Sequence, residues 1–153
     1  MAKLVIKKEE LFIQNSRLGL VNKIINFVFS NKSLYLLKLL FKYLLHLELP
    51  KNSFRQNLRL PHPFSIIVNN RTVLGRNITI YQNVTIGNKQ FGNKKGVPKI
   101  GNNVIIFANS VIVGGIHIGD GTVIGAGSVV TVNTPENSIF AGNPAKLIGY
   151  IDG

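Results

Sequence analysis

From Ile100 onward an aliphatic residue returns every six positions: Ile100, Ile106, Ile112, Ile118, Ile124 and Val130. About a third of the chain is Ile, Leu or Val, so such a run has a chance of roughly one in seven hundred. Other positions keep the same phase. Gly101, Gly119 and Gly125 follow the aliphatic residue, and Ser110, Thr122 and Ser128 stand four places after it. Upstream, Leu74, Ile80 and Ile86 continue the phase, with Gly75 and Gly87 behind two of them. Phe54, Leu60 and Ile66 carry it further back, and a two-residue excess before Leu74 reads as a bulge. A period of six is neither helical nor a simple alternation. It predicts a parallel β-helix of triangular coils, with the aliphatic residue inward and stacked on its equivalent one coil away. Glycine suits a corner with positive φ or a crowded backbone. A β-sandwich would show period two and hairpin turns, which are absent.

The period breaks once. Ile86 and Ile100 are fourteen residues apart, across a stretch containing Lys89, Gly92, Lys94, Lys95, Gly96 and Lys99. The spacing predicts a loop extruded over residues 88–99, and such loops often carry function. Residues 1–49 have a different grammar, rich in Leu, Phe and Lys, with Gly19 as the single glycine. The expected organisation is an N-terminal helical segment over 1–49, a β-helix over 50–149 and a tail over 150–153. Two helices are expected in the first segment, Leu20–Phe29 and Leu34 to about His46, the second with Ser33 as N-cap. Lys38, Lys42 and His46 fall four apart and form one polar stripe on the second. That segment is too short and too charged to span a bilayer. It is expected to cover the end of the β-helix or pack between subunits, with contact to a membrane surface as the alternative.

The net charge of +12 points to anionic partners. Nucleic acid is not expected, because the positives are scattered rather than grouped with stacking aromatics. The chain has no cysteine, which removes disulfides, thiolate metal sites and a cysteine nucleophile, and fits a reducing compartment. No signal peptide is evident at the start, so a cytoplasmic location is expected, at the inner face of the membrane if the helices bind lipid.

Three histidines are present, too far apart for a convincing metal cluster, so no metal is expected. His117 reads as a rim residue and His46 as a surface or helix-end residue. His62 lies between Pro61 and Pro63, which stiffen the backbone and suit it to general-base work. Spacing alone leaves a structural role equally open. After residue 50 the only carboxylates are Asp120, Glu136 and Asp152, too few for paired-carboxylate glycosidase chemistry. Glu48 stands fourteen residues before His62, and with coils of about eighteen residues it is either a partner for the imidazole or a surface charge.

The segments LPHPFSIIVN, NITIYQNVTIGNK, PKIGNNV, IGAGSVV and AGNPAKLIG, spread over residues 48–149, resemble the serine-acetyltransferase-like branch of the hexapeptide-repeat acyltransferases. The resemblance implies a left-handed β-helix, a homotrimer with sites between subunits, and direct acetyl transfer from acetyl-CoA to a hydroxyl. It implies His62 as the base and Glu48 as its acidic partner. It places Ala108, Gly114, Ala126, Lys99 and Lys146 along the cofactor, and Gln82 and Asn83 near the acceptor. The chain departs from serine acetyltransferases where Pro61 replaces an Asp and Gly96-Val97 replaces Arg-His. These departures turn the expectation towards a saccharide hydroxyl of a capsule, exopolysaccharide or lipopolysaccharide precursor. The alternatives are L-serine as acceptor and an inactive β-helix that only binds. A gamma-type carbonic anhydrase shares the fold but needs more histidines on neighbouring coils.

Overall fold

The computed structural model describes residues 4–7, 23–25, 27–28, 31, 33–50, 53 and 57–152. Its body is a parallel β-helix with three faces. One face holds β2 (Leu47–Glu48), β3 (Ile66–Val68), β6 (Thr85–Gly87), β9 (Val111–Val113) and β12 (Val129–Val130). A second holds β4 (Val73–Leu74), β7 (Lys99–Ile100) and β10 (His117–Ile118). The third holds β5 (Thr79–Ile80), β8 (Ile105–Ile106), β11 (Val123–Ile124) and β13 (Ser138–Ala141), and continues into β14 (Lys146–Asp152) and β1 (Leu4–Lys7). Parallel coils satisfy each other's backbone groups, so no strand needs more than a few residues.

The hexad residues form the core as columns. Ile80, Ile106 and Ile124 stack with successive pairings, and all three are fully buried. Ile86, Ile112 and Val130 form the second column and Leu74, Ile100 and Ile118 the third. Ile106 and Ile124 are one regular coil of eighteen residues apart, whereas Ile80 and Ile106 are 26 apart; the extra eight are the extruded loop. Lys89 and Gly96 close that loop with two backbone hydrogen bonds of 2.9 and 3.0 Å. Ser110, Thr122 and Ser128 are buried in the narrow interior, as their spacing predicts. The Ser110 hydroxyl donates to the Phe107 and Gly125 carbonyls, and Thr122 donates to the Pro135 carbonyl.

The corners use two devices. Asn57, Asn77 and Asn103 take the left-handed conformation at one corner, where each side chain hydrogen-bonds to the next across coils. Gly101 and Gly119 answer to crowding instead. A Cβ on Gly101 would fall on the Asp120 carboxylate, and one on Gly119 would lie 2.6 Å from the Pro135 carbonyl carbon.

Four expectations change. Val68, not Ile66, stacks on Ile86, so the phase is already restored at β3 and the two extra residues lie earlier, before Ser65. Phe54 lies outside the described residues. The segment before residue 50 is not helical throughout: β1 pairs in parallel with β14, and β2 already belongs to the β-helix. Residues 150–152 are strand rather than tail, because β14 turns back antiparallel on β13 to close the end of the third face. The second helix is α1, Tyr35–Leu45; its N-cap is Leu34 without a side-chain cap, because the Ser33 hydroxyl donates to Asn31 instead. Residues 23–25, 27 and 28 are helical; the rest of the first expected helix is outside the described residues. No helix among the described residues is long and apolar enough to cross a membrane.

Candidate active site

His62 gets its place from a mismatch between two coils. Arg59 bridges Thr79, and Ile67 pairs with Thr85, so eight steps of chain lie over six. The Phe64 carbonyl accepts the Asn83 N–H at 3.1 Å, as the Gln82 carbonyl accepts that of Asn109 and the Ala108 carbonyl that of Gly127. Ser65, Asn83, Asn109 and Gly127 share the positive φ of this corner. Phe64 therefore stands over Gln82, and His62 with Pro63 has no counterpart in the next coil. Proline offers no N–H to the ladder, so the excess is expelled here. The turn is tightened by the Phe64 N–H donating to the His62 carbonyl at 2.8 Å. Pro61 stays buried and His62 is exposed.

Below His62 the same corner continues coil by coil through Gln82, Ala108 and Ala126 to Gly142. Gly142 donates its N–H to the Ser128 hydroxyl, and Ala145 donates to the Val129 carbonyl, so the AGNPA segment caps this corner. At about 4.8 Å per coil the line covers about 19 Å, a track suited to a long, thin ligand. Lys146, exposed at the start of β14 opposite Ala141, stands at its far end. The Gln82 Oε1 is buried without a hydrogen-bond partner, and the exposed Asn83 donates through Nδ2 to Asn109.

Not all the expected residues meet in one chain. Gly114, between β9 and β10, and the loop over 88–99, between β6 and β7, belong to another corner, where the first face meets the second, and Lys99 opens the second face. Glu48 lies on the outer side of β2 beside Ile67, and its carboxylate pairs with Lys42 at 3.1 Å. Among the described residues no ion pair or hydrogen bond joins Glu48 to His62. The imidazole instead packs against Tyr81, with ring centroids 6.1 Å apart, and Tyr81 stacks on Phe107 at 5.1 Å. Both aromatics occupy the position after the inward isoleucine, where other coils have glycine; that exchange is the sequence signal by which they were open to discovery. His46 ends α1 in the left-handed conformation, with its ring 6.2 Å from Phe64, and His117 is exposed on the rim. No group of three or more potential metal ligands exists among the described residues.

Beside this corner, α1 lies over the first face and leaves a cleft of about 520 Å³. Lys38, Leu39 and Lys42 line its helical wall; Leu47, Glu48, Ile67, Val68 and Ile86 lie opposite. Lys38 and Lys42 of the polar stripe thus border the cleft, while His46, Leu36, Leu40, Tyr43 and Leu44 are exposed.

Residues 98–131 match the family model described as bacterial transferase hexapeptide (six repeats). The mitochondrial serine acetyltransferase 3 of Arabidopsis thaliana is 45% identical over 95 residues, which are 61% of this chain and 24% of that protein. Serine acetyltransferase of Escherichia coli K12 is 35% identical over 103 residues, 67% of this chain and 38% of that protein. The chain thus spans less than two fifths of the length of these curated relatives. Among solved structures, the Neisseria gonorrhoeae serine acetyltransferase superposes with a TM-score of 0.56 at 40% identity, covering 61% of this chain and 36% of that one. The Brucella abortus S19 enzyme in complex with coenzyme A gives 0.60 at 26% identity, covering 86% and 54%. The fold is their left-handed β-helix, and residues 98–131 carry hexapeptide repeats similar to those of the serine acetyltransferases.

Proposed function

We propose that this hexapeptide-repeat chain is an acetyl-CoA-dependent O-acetyltransferase whose general base is His62. The observation that carries the reading is the extrusion of His62 at the head of the Gln82–Ala108–Ala126 corner. A long acyl donor lying along that corner would end with its thioester at the imidazole. His62 takes the proton from the acceptor hydroxyl, and the oxygen attacks the thioester carbonyl carbon. Backbone N–H groups hold the oxyanion. The tetrahedral intermediate collapses, the C–S bond breaks, and protonated His62 returns its proton to the CoA thiolate.

Glu48 is proposed as the group that orients the ring; to do so it must exchange Lys42 for His62, its own or that of a neighbouring subunit. The separation of Gly114, Lys99 and the loop from the His62 corner supports a homotrimer in which one subunit's loop serves the next. The exposed apolar side of α1 supports packing between subunits, with a lipid surface as the second partner class. A cytoplasmic setting fits a cofactor of metabolism.

For the acceptor, the named relatives favour L-serine, since both curated proteins and both solved structures are serine acetyltransferases. A second reading, a saccharide hydroxyl, rests on Pro61 beside the base and Gly96-Val97 in the loop, where the groups expected to hold an amino acid's charges are missing. The test of the main reading is steady-state thiol release from acetyl-CoA with L-serine and with a panel of sugars. His62→Ala should lower turnover by about 10²–10⁴-fold while CoA binding by calorimetry persists. Turnover near wild type removes His62 from the mechanism.

A further inference from the structure

We infer that the cleft beneath α1 holds an anionic group of the acceptor, a carboxylate or phosphate carried on a saccharide. The inference rests on the transferase reading above and on the second of its two acceptors. At about 520 Å³ the cleft lies within the range of small-molecule sites, roughly 300–1,000 Å³. Its charge is unbalanced. Lys38 and Lys42 stand one helical turn apart on its wall, and Glu48 is the one carboxylate among the lining residues. Glu48 is taken by Lys42 at 3.1 Å, which leaves Lys38, half-buried, with no acidic partner among the described residues. That ion pair is about half exposed on both sides and therefore easily exchanged for a ligand's anion.

Two amides also line the cleft: Asn69, whose Oδ1 accepts the Arg71 N–H at 3.0 Å, and the exposed Asn70. Opposite, Ile67 is the one exposed apolar side chain among the lining residues of β3, a patch for the face of a sugar ring, while Leu47, Val68 and Ile86 are buried in the core. The cleft reaches the chemistry through β3: Ile67 lines it and is five residues after His62. L-serine fits it poorly. The cleft is large for one amino acid, and no free carboxylate in it meets an ammonium group.

The experiment measures binding to the intact chain by calorimetry, without acetyl-CoA, using glucuronate, glucose 6-phosphate, glucose and L-serine. At least one charged sugar should bind about tenfold or more tightly than glucose, and the stronger of the two tells whether carboxylate or phosphate is preferred. Lys38→Met keeps the apolar stem and should erase that preference; Lys38→Glu should reverse it, with melting curves confirming that both variants fold. The proposal is overturned if glucose matches the charged sugars, if no sugar binds, if L-serine binds best, or if the Lys38 variants keep the preference. A separate titration with acetyl-CoA tests the transferase reading, so the two fail independently.

Discussion

Replacing Ile106 by Ala should cost about 4 kcal/mol of stability, near the upper part of the range of about 2–5 kcal/mol for such changes. Ile106 is fully buried and stacked between Ile80 and Ile124, which are fully buried too. Three carbons are removed, worth about 2.4 kcal/mol at about 0.8 kcal/mol each. The remainder is the cavity, and this one cannot collapse. The coil above is pinned by the Tyr81 N–H donating to the Ile106 carbonyl at 3.0 Å, and the coil below by the Phe107 N–H donating to the Ile124 carbonyl at 3.0 Å. Ile106→Val, which removes one carbon, should cost about 1 kcal/mol. Urea unfolding followed by circular dichroism, at two matched protein concentrations, measures both without confusing fold with assembly. A loss below about 1.5 kcal/mol for the alanine variant, or equal losses for the two, would refute the reasoning that the coil spacing is rigid.

The remaining predictions follow the same geometry. Excising the eight residues Lys89–Gly96 should leave the 18-residue coil and the melting temperature largely intact while abolishing acetyl transfer; unfolding on excision would make the loop part of the fold instead. Gly119→Ala should cost about 3 kcal/mol through collision with the Pro135 backbone, against about 1 kcal/mol for Gly127→Ala, where φ is 65° but no atom lies within 4 Å. The order of the two melting temperatures checks this. The Asn102 side chain and backbone N–H, each donating to Asp120 at 2.8 Å, hold the Asp120 carboxyl below its ordinary value of 3.8. The carboxylate therefore stabilises the fold above that pH and loses its contribution as the pH falls through the lowered value. Acid melting curves of wild type should drop more steeply than those of Asp120→Ala; parallel curves would count against it.

Much of the fold was legible because the interior of a β-helix is one-dimensional. Each inward position meets its own equivalent one coil away, so the six-residue period states the core directly. Glycines at 75, 101 and 119 were legible as corners, though crowding by the next coil rather than positive φ is their reason. The site was legible only as residue types. His62 stood out between two prolines, but a period count placed the two extra residues after Ile66. Pairing across coils moved them to His62 and Pro63 themselves, since both phases are satisfied only if that dipeptide leaves the wall.

The sequence by itself determined the β-helix, the loop and a base candidate, because local repetition encodes stacking between neighbours. Contacts outside the repeat were decided by the tertiary structure alone. Glu48, read as partner to His62, pairs with Lys42 because α1 folds back over the first face and brings its basic stripe against β2. Leu4–Lys7 joins Gly149–Asp152 at the far end of the third face. No period links such distant segments, and only packing brings them together.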